Sequence, residues 1–244
     1  MIEAQDLRKT FGEVVAVDSV SLSAPDGQIT GILGPNGAGK TTAMRMISTL
    51  VRPDSGGVRV DGLDALTQPA QVRRRLGVLP DARGLYPRLT ARENIEYFGR
   101  LQGLDEPTLR DRVERLLERL DLGAVSDRRV HGFSQGERAK VAIARALVHE
   151  PQNVLLDEPT NGLDVMSTRA MRELILGLRG EGKAVVFCSH VMQEVSALCD
   201  TIIVVARGTV VARGTADELL AQAGTDSLED AFVAVIGSGE GLVA

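Results

Sequence analysis

The chain has 244 residues, 43% hydrophobic and 25% charged, which suits one large globular domain or one core carrying an inserted subdomain. Its formal net charge of −5 argues against a nucleic-acid binder, because neutralising phosphates takes a basic face. The one dense basic run, Arg73–Arg75, reads as a solvated helix face, and the two cysteines, Cys188 and Cys199, read as small buried apolar residues in a reducing compartment.

The amino terminus, MIEAQDLRKTF, has no apolar stretch of the signal-peptide kind. VVAVDSVSLS then alternates with period two and is followed by Asp26-Gly27, so an antiparallel β layer is expected at the edge of the fold. Short apolar runs follow, at 29–34, 75–80, 153–157, 184–189 and 201–206, separated by helical stretches. That alternation predicts a mainly parallel sheet covered on both faces. Between about 86 and 150 the strands give way to helices. Thr90 and Glu93 form a capping box for a helix carrying Ile95, Phe98 and Leu101. Pro107 suits the first turn of the next helix, with Val113, Leu116, Leu117 and Leu120 as its stripe. No apolar run approaches the roughly 18 residues that span a bilayer, so any membrane role is expected to come through a partner. The one biased segment is a Gly-rich tail, GSGEG, at 237–241.

GPNGAGKT (34–41) matches G-x-x-x-x-G-K-[ST] between an apolar strand and a helix. Glycines there let backbone N–H groups curl round phosphate oxygens, and the helix start adds a favourable dipole. Lys40 supplies a charge to the β- and γ-phosphates, and the Thr41 hydroxyl can ligate Mg²⁺. This predicts a nucleoside-triphosphate site. NVLLDEP (153–159) delivers Asp157, the expected Mg²⁺ partner, and Glu158, placed to accept a proton from or orient an attacking water; a solvated strand end is the competing reading. His190 follows another buried strand, whose end should open near the γ-phosphate, a hydrogen-bonded histidine at a strand end being the competing reading; His131 and His149 have no such setting and read as structural. FSQGER (133–138) is by itself a helix start, with Ser134 and Glu137 as a capping box.

Taken together these residues resemble the ATP-binding subunits of ABC transporters over nearly the whole chain. GPNGAGKTT (34–42) resembles Walker A, FSQGE (133–137) the family signature, VLLDEP (154–159) Walker B and NGLD (161–164) the D-loop, and SH (189–190) falls at the switch histidine. The resemblance implies an α/β fold: a P-loop NTPase core of the RecA-like kind, an N-terminal antiparallel β layer and an inserted helical subdomain. It implies one ABC-type ATPase domain over 1–244, with 1–85 and 151–220 as core, 86–150 as helical signature subdomain and 221–244 as a short extension. ATP and Mg²⁺ would be held by Gly34, Pro35, Asn36, Gly37, Ala38, Gly39, Lys40, Thr41 and Thr42, with Asp157 completing the metal site, Glu158 as catalytic base and His190 on the γ-phosphate. Phe11 falls where the family stacks an aromatic ring on adenine, a core phenylalanine being the alternative. Ser134 and Gly136 would reach ATP bound to a second subunit, identical or a close homologue, with Asp164 near the seam.

Two positions depart from the family pattern. Asp81 stands where Gln or Glu usually meets Mg²⁺ and water, and Gln135 and Glu137 replace a glycine and a glutamine of the signature. The segment after Asp81 resembles subunits that serve exporters with separate membrane proteins, with Leu85, Tyr86, Leu89 and Tyr97 as candidate contacts and ordinary packing of the helical subdomain as the alternative. SHVMQEVSALCD and SLEDAFVAVIG resemble ATPases of sodium- or drug-efflux systems. The implied place is cytoplasmic, peripheral on the inner face of the cell membrane. The competing functions are a single-domain ABC ATPase of cofactor assembly and, with less support, a small-molecule kinase on the same loop.

Overall fold

In the computed structural model the described residues are 1–81 and 83–237. β1 (Ile2–Phe11) and β2 (Val14–Ala24) form an antiparallel hairpin, and β3 (Ile29–Leu33) leads into α1 (Lys40–Ile47). β4 (Ser55–Val60) and β5 (Leu63–Asp64) join the hairpin in a four-stranded sheet of order β2-β1-β4-β5. α2 (Pro69–Arg75) and β6 (Leu76–Leu79) precede three helices: α3 (Ala91–Leu101), α4 (Glu106–Arg119) and α5 (Gln135–Leu147). β7 (Asn153–Asp157), α6 (Val165–Gly180), β8 (Ala184–Ser189), α7 (Met192–Leu198), β9 (Thr201–Ala206) and β10 (Thr209–Gly214) complete the core, followed by α8 (Ala216–Ala223) and α9 (Leu228–Ile236).

The second sheet runs β10-β9-β3-β8-β7-β6 and is parallel except for β10. Its central strands β3, β7 and β8 are buried along their whole length, as apolar runs require when both faces are covered. Successive side chains of a strand point to opposite faces, and the cores divide accordingly. Val185 and Phe187 of β8 pack with the helices α3 to α6, while Val186 and Cys188 pack with α1 and the antiparallel sheet. The N-terminal β layer, the parallel core and the helical insertion are therefore as the sequence predicts.

Several details differ. The strand expected over 75–80 is shorter, because Arg75 ends α2. Leu101 is 64% exposed and takes no part in the α3 stripe, whose buried face is Ala91, Asn94, Ile95 and Gly99. Two helices follow β10: α8 begins with a further capping box, Thr215 with Glu218, and α9 packs on α7 and α8. Of the Gly-rich tail only Gly237 lies among the described residues. Arg73–Arg75 are exposed, and both thiols are free, Cys188 buried and Cys199 partly so.

Candidate active site

Strand register gathers the site. Leu33 sits beside Ser189 and Asp157 beside Cys188, so the residues that follow, Gly34, Glu158 and His190, emerge at one rim, the carboxyl end of the parallel sheet. The loop after β3 is tight because it is packed on its neighbours. A Cβ on Gly34 would come within 2.2 Å of Val205 O, and one on Gly39, at φ 101°, within 2.4 Å of Ala16 O. Gly39 is the N-cap of α1 and offers no side chain to it, so the first N–H groups of that helix face the loop unclaimed by a cap. Lys40, only 6% exposed, folds back and donates from Nζ to Gly34 O (2.6 Å) and Pro35 O (3.0 Å). An ammonium has three hydrogens, so one remains for an anion in the loop.

A cavity of about 560 Å³ opens over this loop. It brings together Asn36, Gly37, Ala38, Gly39, Lys40, Thr41 and Thr42 with Asp81, Glu158 and His190 from three other segments. Asp157 lies beneath, 6% exposed, with Oδ1 buried and without a hydrogen-bond partner. Burial raises its pKa above the ordinary aspartate value; hydrogen bonds from Cys188 and Thr41 oppose the rise, and the charges of Asp81 and Glu158 add to it. A carboxylate with an orphaned oxygen beside a hydroxyl and further carboxylates is a setting that a cation would relieve. Among the described residues no group of three or more His, Cys, Asp or Glu side chains is placed to hold a metal alone. A Mg²⁺ ion would accordingly take Thr41, Asp157 and Asp81 together with phosphate and water oxygens.

Glu158 occupies φ 50°, uncommon for a residue with a Cβ, and its N–H is fixed on Cys188 O at 2.9 Å. Its Oε2 lies 2.9 Å from His190 Nδ1, which leaves the other ring nitrogen for a ligand. The next turn is anchored from below: Thr160 Oγ1 donates to the buried Glu194 at 2.5 Å, and Arg172 donates to the same carboxylate at 3.4 Å. The other histidines are not part of this rim. His149 is half-buried against Leu76 O, and the desolvation lowers its pKa to about 4; His131 is exposed.

Gly34, Pro35 and Asp157 border the cavity without lining it, and Ser134, Gly136, Asp164 and Phe11 lie elsewhere. Ser134 caps α5, its hydroxyl accepting from Glu137 N at 3.1 Å while Glu137 Oε2 accepts from Ser134 N at 2.7 Å. Gly136 is buried, and a Cβ there would meet Ser167 Oγ at 2.6 Å. That serine is held by Asp164, which caps α6 through Ser167 N (2.9 Å) and Oγ (2.8 Å). Ser134, Gly136 and Asp164 thus form one corner, and the neighbouring Val165 and Met166 are 84% and 72% exposed. Phe11 is 51% exposed at the hairpin end, with Lys9 Nζ 5.6 Å from its ring centroid. The core alternative for Phe11 is therefore overturned.

A family model for the ABC transporter matches residues 17–161. The ABC transporter ATP-binding protein NatA of Bacillus subtilis is 47% identical over 238 residues, 96% of this chain and 97% of that protein. The chain belongs to the ABC transporter family. The doxorubicin resistance ATP-binding protein DrrA of Mycobacterium tuberculosis is 40% identical over 95% of the chain and 73% of its own length. Among solved structures, an ATP-binding subunit of an ABC transporter superposes with a TM-score of 0.89 at 27% identity, covering 97% of this chain and all of that one. A dimeric ATP-binding cassette in a post-hydrolysis state, bound to ADP and phosphate, gives 0.80 at 27% identity, covering 88% and 98%.

As an ABC ATPase the chain binds and hydrolyses ATP. Among the described residues no helix is long and apolar enough to cross a membrane. Sequence reasoning missed Val14, Val15 and Ala16, which wall the cavity from β2, as well as Arg83 and the Thr160–Glu194–Arg172 chain; Asn161, read only as the start of the D-loop, also lines the cavity. A hairpin end close to the phosphate loop is the one signal that could have found the first three.

Proposed function

We propose that this ABC ATPase energises an exporter by closing with a second copy, or a close homologue, around shared ATP. One observation carries the reading: Walker A, Asp81, Glu158 and His190 share a cavity, while the Ser134 helix end stands outside it, exposed beside uncovered Val165 and Met166. In this reading Gly34–Thr42 hold the phosphates, Phe11 meets the adenine, and Ser134, Gly136 and Asp164 belong to the site of the other subunit. Thr41, Asp157 and Asp81 would hold Mg²⁺, which when bound neutralises charge on the phosphate oxygens. Glu158, aligned by its backbone bond to Cys188 and by His190, accepts the proton of the attacking water. Hydrolysis then removes the ligand that favours the closed state, and only that difference in affinity can drive opening.

The chain is read as one ATPase domain, 1–85 with 151–220 as core, 86–150 as helical subdomain and 221–244 as C-terminal extension. Its membrane-facing contact is Leu85, Tyr86, Leu89 and Tyr97. Leu85 packs on the core cluster. Tyr86 and Tyr97 are 45% and 41% exposed and stack edge to face at 5.3 Å, giving a preformed aromatic patch for an integral membrane subunit. Association there would place the chain on the cytoplasmic face of the membrane. Export is supported by the resistance ATPases among the relatives. The test is light scattering of Glu158→Gln with ATP. A shift from monomer to dimer is expected; a variant that binds ATP and stays monomeric opposes the reading.

A further inference from the structure

Arg83 and Gly84 are clipped to α5 at two points by two arginines of opposite origin. From the loop, Arg83 forks outward. Its Nη1 donates to Gln135 O and to Gln135 Oε1, both at 3.0 Å, and its Nη2 donates to Asn161 O at 2.9 Å. From α5, Arg145 reaches back, Nη2 donating to Arg83 O at 2.6 Å and Nη1 to Gly84 O at 2.8 Å. Arg145 is 6% exposed and its guanidinium lies 4.4 Å from the Phe98 ring centroid, so its end of the clip is fixed by packing. Arg83 is held at a cost to its charge. Burial lowers its pKa, the nearby Arg138 lowers it further, and Asp81 acts in the opposite direction.

Gln135 is the residue that replaces a signature glycine, and both of its oxygens are used by the same guanidinium group. A glycine there would keep only the carbonyl contact. Asn161 also lines the ATP cavity, beside Glu158, and shares a second cavity with Asp81, Arg83, Gln135 and Arg138. A planar fork fits three acceptors at fixed angles, which a lysine ammonium does not.

We infer that Arg83 is a positioning residue that ties the Asp81 loop of the ATP cavity to the Ser134–Gln135 helix end and to Asn161, with Gln135 as its dedicated partner. A shift of Asp81 on the phosphate side then moves the helix end that serves the other subunit, and the turn after Glu158 moves with both. The inference rests on the proposed division of the ATP site between two subunits.

The test is steady-state hydrolysis of MgATP by the full chain, with melting temperature measured beside it. Arg83→Ala is expected to lower kcat by about 10- to 100-fold, the scale of a displaced catalytic geometry. KM for ATP and melting temperature should stay close to those of the wild type, and cooperativity in ATP should fall. Gln135→Ala keeps the carbonyl contact and is expected to lose less. Arg83→Ala with Gln135→Ala should be no worse than Arg83→Ala alone, because the second change removes a bond already lost. Arg83→Lys should recover part of the rate. Wild-type kcat and cooperativity in Arg83→Ala, or fully additive losses in the double variant, would overturn the inference. Lys40→Ala run in parallel separates the two levels: if it hydrolyses ATP at the wild-type rate, the reading of the site itself has failed, whatever Arg83 does.

Discussion

Two helices of this chain start at the two halves of the proposed ATP site, and they start in opposite ways. α1 begins at Gly39, which has φ 101° and no capping side chain. α5 begins at Ser134, whose capping box with Glu137 is closed on both sides. An uncapped helix end leaves its N–H groups for a ligand, whereas a capping box consumes two donors, here those of Ser134 and Glu137. The N–H groups between them, on Gln135 and Gly136, are the ones the box does not use. The comparison shows that one helix end keeps its first N–H groups free of any cap, as the proposed phosphate role within its own chain requires. The other is already satisfied and can add a contact to a distant ligand without unfolding its cap. The same bonds turn the Glu137 carboxylate back onto its own cap. Its pKa lies below the usual glutamate value, chiefly through the Ser134 N–H.

The largest blow to this contrast is Lys40→Ala. It removes the buried charge of the first helix end and is expected to cut hydrolysis by about 10²- to 10³-fold in a steady-state assay. Glu158→Gln comes next, with a loss of roughly 10²-fold or more in kcat. It should leave nucleotide binding in place, as a fluorescent-nucleotide titration would show. Ser134→Ala should have two separable effects: about 1 kcal/mol of stability lost with the cap, read by denaturant unfolding, and weaker ATP-driven dimerisation at unchanged ATP affinity of the monomer. The smallest effect is expected from Glu137→Gln, which should leave dimerisation intact or strengthen it. A pH series sharpens the point. A carboxylate whose folded pKa is depressed contributes fully above its unfolded value, 4.5, and loses that contribution as pH falls through the folded one. Unfolding of Glu137→Gln should therefore depend less on pH on the acid side of that value than unfolding of the wild type does.

The phosphate loop was legible in the sequence because its constraints are local. Each glycine answers to a φ angle or to a backbone atom pressed against it, and the lysine follows at a fixed offset. The buried strands were legible for a related reason: a run such as NVLLD has no face to offer to water. β4, SGGVRV, was not, since two glycines hide its alternation, and β5 is a two-residue edge. Leu101 fits the helical spacing of α3, yet the helix buries Asn94 instead. That amide exchanges hydrogen bonds with the Tyr86 and Thr90 backbone, a tertiary use that periodicity cannot show. Arg83 and Glu194 are ordinary charges in the sequence. Their partners lie 52 and 78 residues on for Arg83 and 34 residues back for Glu194, so only the folded chain makes them part of the site.

The central claim is that each ATP is held by the first helix end of one subunit and the second helix end of another. Mixing two impaired variants tests it directly. Lys40→Ala keeps an intact Ser134 corner, and Ser134→Arg keeps an intact phosphate loop; a mixed dimer of the two contains one site with both halves sound. The account predicts that ATP hydrolysis, cut by orders of magnitude in either variant alone, recovers when they are mixed. A mixture that forms dimers and stays as inactive as its parts would contradict it.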